Sequence, residues 1–309
     1  MSIISVEANG WPVTDGLGAR RDGWRRLVRN PMAMVGGVVV VLLVAVAILA
    51  DVIAPHNPTR QNYDALFQPP GGQYLLGTDN LGRDQLSRLV HGSRVALAVG
   101  VLSQAVVLVL GVSIGSLAAL AGGWVDNLLM RLTDVVYAFP DLLLIILLST
   151  ALREHPLREV GGGLPIIFLA IGLANWVGVA RLARGQLLAL REREFVEAAR
   201  ALGAGNGRIL LVHLLPNAVG PLIVAATFGI PSAIFAEATL SFLGLGIVPP
   251  NPSWGSMIQE GYQAIFAYPH LVLFPALAIA TTLLGFTFLG DGLRDALDPR
   301  CSTNRSAAG

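Results

Sequence analysis

The residues able to do chemistry are few and far apart. The five histidines, at 56, 91, 155, 213 and 270, show no metal-ligand spacing, so no metal site is expected. The lone Cys301 has no partner for an intrachain disulfide. Ser149 and His155 are the nearest approach to a nucleophile beside a base, but six residues apart they do not share a helical face, which argues against an intramembrane hydrolase. No phosphate-binding G-x-x-x-x-G-K-[S/T] loop occurs, and all 21 basic residues are arginine, leaving no lysine to serve one. The chain is therefore expected to hydrolyse nothing itself and to need no cofactor. Two acids stand in or beside apolar runs, Asp141 and Glu237. A carboxylate at mid-span costs about 2.5–3.5 kcal/mol on insertion scales, so Asp141 should face the bundle or lie near a surface. Acids in equivalent halves would indicate an ion-coupled transporter, and this unmatched pair supports that alternative poorly.

What must position these residues is a membrane bundle. Hydrophobic residues make up 54% of the chain and mean hydropathy is +0.64, which is too apolar for a soluble domain. Net charge is +1, so no basic field suggests nucleic acid. Six apolar runs are long enough to cross a hydrocarbon core: about Met32–Ala50, Val95–Ala121, Val135–Leu152, Leu164–Ala180, Ala218–Leu240 and Leu271–Gly290. The first is too long for a secretory signal and is read as an uncleaved span. Pro140 should kink the third, after a short loop carrying Asp126 and Arg131. Pro221 and Pro231 fall inside the fifth. In the second, Gly111, Gly115, Ala119 and Gly123 recur every fourth residue, and Ala170, Ala174 and Gly178 do so in the fourth; small side chains stacked on one face admit a neighbouring helix.

Outside the spans lie a segment 1–31 with Arg20, Arg21, Trp24, Arg25, Arg26 and Arg29, a turn-rich loop over 55–93, a loop over 241–270 without Lys or Arg, and a short charged tail, 291–309. With the N-terminus inside, cytoplasmic segments hold 15 arginines and external ones 6, so six spans with both termini cytoplasmic are expected. The loop 181–216, RLARGQLLALREREFVEAARALGAGNGRILLVHLLP, then faces the cytoplasm and carries six arginines. Two short helices are expected there, joined at Gly203, Gly205 and Gly207, the second ending at Pro216. Ala199 and Gly203 are expected on one face of the first, with Arg193–Glu197 and Glu197–Arg200 as local ion pairs. The leucines 210, 211, 214 and 215 need lipid or a protein groove to cover them, and a docking element for a soluble partner is expected.

Glu197-Ala198-Ala199, then Gly203, then Leu215-Pro216 resemble the EAA loop of the permeases of ATP-binding-cassette importers, with His213 where isoleucine is usual. The wider stretch is similar to the dipeptide/oligopeptide and nickel branch. Leu76 to Asp84, with Gly77, Thr78, Asp79, Gly82, Arg83 and Asp84, resembles that branch's first external loop. Glu237 to Trp254, with Pro250, resembles its last external loop, and Leu289 to Arg300 its C-terminal signature. Arg29-Asn30-Pro31 fits the second permease of the pair. The resemblance implies a type I importer permease fold of six transmembrane helices in a bacterial inner membrane, all-α, with residues 32–290 as the permease domain. It further implies a second permease subunit, two cytoplasmic ATPases and an extracytoplasmic solute-binding protein. Di- or oligopeptides are the implied solute, with nickel chelates, glutathione or oligosaccharides as alternatives. Glu197–Gly203 would be the coupling helix, seated in an ATPase cleft.

Overall fold

The computed structural model describes residues 25–297, so Arg20, Arg21, Trp24, Arg300 and Cys301 lie outside the described residues. Among these residues the fold is helical, with two isolated bridges, Gly71–Tyr74 and Thr78–Asp84, in place of a sheet. The helices that matter for function are α1 (Pro31–Ile48), α2 (Gln85–Ala121), α3 (Gly123–Tyr137), α4 (Asp141–Ala151), α5 (Leu164–Arg191), α6 (Glu194–Ala201), α7 (Leu215–Phe242), α8 (Trp254–Tyr262) and α9 (His270–Leu297). Five are long and apolar enough to cross a membrane, and α3 with α4 makes up a sixth, broken one.

Local chemistry sets the helix starts. Asn30 caps α1, its Oδ1 accepting from the Met32 and Ala33 amides at 3.1 and 3.3 Å, with Pro31 at the first helical position. Only Ala33, Gly36 and Ala47 of α1 are buried, so most of its surface is left for lipid. It packs on α9 through small residues: a Cβ at Gly36 would fall 2.6 Å from the Gly285 carbonyl oxygen, and one at Gly285 2.6 Å from Val39.

The ladder foreseen in α2 packs against α5. A Cβ at Gly115 would lie 2.4 Å from the Ala180 carbonyl oxygen, and one at Gly111 2.7 Å from the Val179 Cβ. Ala119 continues that face, whereas Gly123 has left it and opens α3. Ala170 and Ala174 are buried as expected, but nothing lies within 4 Å of a Cβ at Gly178, which instead borders a cavity.

The third span departs most from expectation. It is not one kinked helix over Val135–Leu152 but α3 and α4 meeting at 91°. Pro140 forbids the helical conformation to Phe139 and supplies no amide, so α3 ends and α4 starts afresh. The segment with Asp126 and Arg131, expected as a loop, is the first half of α3. It is clamped to α5 by Arg184, which donates to both Asp126 oxygens at 2.5 Å, and by Arg181 to Asp134 at 2.8 Å. The Arg181 guanidinium also lies 4.6 Å above the Tyr137 ring.

Span limits also shift. The second apolar run begins ten residues earlier, at Gln85, because Asp84 caps the helix by accepting from the Ser87 amide at 2.9 Å. The run at 209–215 does not stop at Pro216. A π-helical segment, Ile209–Leu214, feeds directly into α7, and its wider turn accommodates the imide nitrogen in the first turn that follows. α9 continues past Gly290 to Leu297, so the described part of the charged tail is helix.

Candidate functional site

Three places carry the residues that the sequence singled out. The first is the Arg181–Pro216 loop. Helix α6 turns its Val196 and Ala199 inward, where Val196 is fully buried in one apolar cluster with Ala183 and Leu187 of α5, Ile209 and Leu214 of the π segment, and Ala218 and Leu222 of α7. Glu197, Ala198, Arg200 and Leu202 face outward, Leu202 being 89% exposed. Gly203 does not share a helical face with Ala199. It sits beyond the helix end at φ +82°, donating to the Arg200 carbonyl at 2.9 Å, while the Ala204 amide reaches back to the Ala199 carbonyl at 3.0 Å. Those two bonds form a Schellman cap, whose left-handed residue is glycine because a Cβ there is strained. Neither Arg193–Glu197 nor Glu197–Arg200 closes an ion pair among the described residues.

The leucines that seemed to demand an outside cover mostly find it within the chain. Leu214 is buried, Leu210 and Leu215 pack on the same cluster, and only Leu211 stays 66% exposed. His213 is half-buried and its carbonyl accepts from the Asn217 amide at 2.6 Å; Pro216 is exposed. The free apolar surface of this loop is therefore Phe195, Leu202, Leu211 and Val212.

The second place is where the loop over 55–93 meets the loop over 241–270. Asp79, Arg83 and Arg88 meet Glu260 of α8. Arg83 donates to Asp79 at 2.7 Å and to Glu260 at 2.6 Å, and Arg88 joins both acids, reaching Glu260 at 2.6 Å. Two guanidiniums face two carboxylates, so the buried charge cancels. Thr78 is fully buried, its hydroxyl donating to the Ala65 carbonyl at 2.5 Å and accepting from the Gln68 amide at 2.8 Å. Gly77 admits the Gln68 carbonyl, which a Cβ would meet at 2.5 Å, and Gly82 likewise admits the Asn62 carbonyl. Trp254 is buried against Gly92 and donates from Nε1 to the Leu89 carbonyl at 2.9 Å. These motif residues hold the loops together from inside; Pro250 alone among them is exposed. Glu260 carried no signal in the sequence, because its partners lie 172 and 177 residues away.

The third place is a cavity of about 580 Å³ bounded by α2, α4, α5 and α7. Asp141 lines it at the start of α4, with Ser103 and Gln104 of α2 and Asn175 of α5. Gln104 and Asn175 passed unnoticed as neutral residues in apolar runs; the Ser103-Gln104 pair interrupting the second run was the available signal. Glu237 lies elsewhere, fully buried and accepting from the Ser241 hydroxyl at 2.6 Å, which in turn accepts from the Ile247 amide. Its role is to pin the chain that leaves α7. Ser149 and His155 do not meet: the hydroxyl donates to the Ile146 carbonyl and the imidazole accepts from the Leu157 amide. No group of His, Cys, Asp or Glu among the described residues has metal-binding geometry.

A close-packed α2–α5 pair, a broken third span and a short helix held by a glycine cap between two spans make up the frame on which these three places sit. Residues 111–303 match the family described as binding-protein-dependent transport system inner membrane component, and residues 19–70 match the N-terminal transmembrane domain of oligopeptide transport permease C. The chain belongs to the binding-protein-dependent transport permeases. It is 40% identical over 280 residues to the oligopeptide transport system permease protein OppC of Bacillus subtilis, covering 91% of this chain and 89% of that one. The dipeptide permease DppC of the same organism is 41% identical, covering 91% and 85%, and the glutathione permease GsiD of Pectobacterium atrosepticum 40%, covering 91% and 91%. In structure this permease is similar to a chain of the inward-facing MetNI methionine transporter, with a TM-score of 0.55 at 23% identity, covering 69% of this chain and 97% of that one. That likeness shows the type I importer permease fold. The permease is thus a multi-pass inner-membrane subunit of an importer whose ATPase and solute-binding protein are separate chains.

Proposed function

We propose that this permease forms half of the translocation pathway of a peptide importer. The observation that carries the reading is its near-equal identity, 40 to 41%, to permeases named for an oligopeptide, a dipeptide and glutathione. What those solutes share is a peptide. A second permease subunit completes the pathway within the lipid bilayer, two cytoplasmic ATPases drive it, and an extracytoplasmic binding protein delivers the solute. Both termini are cytoplasmic, as the arginine distribution favours.

Coupling runs through α6. Glu197, Ala198, Ala199, Gly203, His213, Leu215 and Pro216 belong to the element that an ATPase cleft receives, and exposed Leu202 and Phe195 supply apolar contact. The loop is no loose tether. Val196 roots it in the cluster that also holds residues of α5 and α7, with Ala199 buried on the same face, and those two helices line the cavity. Closure of the ATPases would therefore move cavity walls, biasing the bundle between inward and outward openings by differential binding. On the outer side, Gly77, Thr78, Asp79, Gly82, Arg83, Asp84 and Trp254 keep the loops in shape for the binding protein, and Pro250 lies at the exposed rim.

Co-purification from native membranes tests the whole reading. Recovery of paired ATPases, a second permease and a peptide-loaded binding protein is expected. A binding protein loaded with a nickel chelate or a sugar would overturn the solute class, and uptake unaided by an ATPase would overturn the mechanism.

A further inference from the structure

The cavity's polar groups are mismatched in a way that points to a ligand. Helix α4 has 11 residues and is thus roughly 16 Å long, about half a hydrocarbon core, and the charged Arg153 and Glu154 follow its far end. Asp141, at its start, is therefore a helix length away from those charges; it is exposed, lines the cavity and makes no ion pair among the described residues. No arginine or histidine lines the cavity.

Each polar neighbour has an oxygen able to accept. The Asn175 amide nitrogen donates to the Ile171 carbonyl at 3.0 Å, which leaves its oxygen free. Ser232 and Thr239 give their hydroxyl protons to the Phe228 and Phe235 carbonyls at 3.2 and 2.9 Å, leaving lone pairs. Among the described residues, Gln104 is only 6% exposed yet makes no hydrogen bond, and the fully buried Ser103 hydroxyl has no partner. One carboxylate, the oxygens of Asn175, Ser232 and Thr239 free to accept, two groups (Ser103 and Gln104) able to accept or donate, and no arginine or histidine on the lining suit a group with three N–H donors and a positive charge.

We propose that Asp141 is the charge-recognition residue of the pathway, receiving a cationic amino group of the passing solute while Asn175 and Gln104 satisfy its remaining protons. This rests on the peptide reading above, in which the group is an α-ammonium or a basic side chain.

The complete importer, reconstituted in vesicles with its binding protein saturated by each probe in turn, separates the possibilities. The probes are trialanine, N-acetyl-trialanine and N-acetyl-Ala-Lys-Ala. Wild type should carry trialanine on the order of tenfold faster than its acetylated form. Asp141→Asn should bring that ratio close to one, and Asp141→Glu should restore it in part. Recovery of acetylated uptake by the lysine probe assigns the site to any ammonium; failure to recover assigns it to the N-terminus. An unchanged ratio in Asp141→Asn overturns the proposal, as does loss of the partner permease on purification of that variant, which would make Asp141 an intersubunit contact. If wild type carries none of the three probes while still hydrolysing ATP with a loaded binding protein, the peptide reading itself has failed.

Discussion

Gly229 of α7 stands where the Gln104 side chain of α2 needs the room: a Cβ on Gly229 would fall 1.9 Å from the Gln104 Oε1. The obstacle is the tip of a flexible side chain, so Gly229→Ala should swing Gln104 away without unpacking the helices. Uptake should fall on the order of tenfold, equivalent to about 1.4 kcal/mol, while the complex still assembles. Loss of assembly would show the contact to be structural.

Gly115 makes the opposite case. There the obstacle is backbone, the Ala180 carbonyl at 2.4 Å, which cannot swing aside. Gly115→Val should push α2 off α5 and destabilise the bundle by about 1–3 kcal/mol or more. Thermal unfolding in detergent checks this, and a melting temperature equal to wild type would refute the close packing.

At Gly203 nothing lies within 4 Å of a Cβ, so substitution acts through the backbone. Gly203→Val should cost about 1–2 kcal/mol at the left-handed cap and reorient the chain after α6. The expected outcome is an inserted complex whose ATP hydrolysis no longer drives uptake. Unchanged uptake would remove α6 from the coupling route.

The buried quartet of the outer loops should respond to charge rather than to size. Glu260→Gln leaves Arg83 and Arg88 sharing Asp79, and should destabilise the outer loops by about 3–5 kcal/mol. Adding Arg88→Met should restore part of that loss, since the pair removed together leaves no orphan charge. A double variant that melts lower than the sum of the single ones would contradict this account.

Asp51, just past the end of α1, gives a pH test. Hydrogen bonds from Arg94, then from His91, hold its carboxyl below the ordinary value of 3.8. A lowered value means that the tie is complete above 3.8 and lost only as pH falls through the lowered one. Amide exchange at Ile48–Val52, corrected for intrinsic rate, should therefore not change between about pH 7 and 5. A change in that window would show that the Asp51 carboxylate does not govern the contact.

Helix existence and the small-residue contacts were legible in the sequence because apolar length and four-residue spacing report directly on burial. The spacing of Gly111 and Gly115 announced a close helix contact, though not that its partner would be α5. What stayed hidden depended on partners distant in the chain. Asp126 looked like a loop acid until Arg184 was beside it, Glu260 had no local pattern, and Gln104 was a neutral residue in an apolar run. The 91° break was underestimated because Pro140 announces an interruption but not its angle. Gly203 was assigned to a helical face from its spacing, whereas its positive φ takes it off the helix. The covering of Leu214 could not be foreseen, since it depends on how the π segment turns that side chain toward Leu187.

Helix α2 runs 37 residues, about 55 Å, without a proline. Asp84 fixes its N-terminal end beside the buried quartet, and Arg191 holds its C-terminal end by donating to the Ala119 carbonyl at 3.0 Å. Like its close-packed partner α5, α2 is unbroken, whereas α7 carries Pro221 and Pro231, α9 carries Pro275 and the third span breaks before α4. Such a molecule sets a stiff mast beside hinged spars. On the topology and coupling route proposed above, a load taken up at either end of that mast would be met as a tilt of one rod.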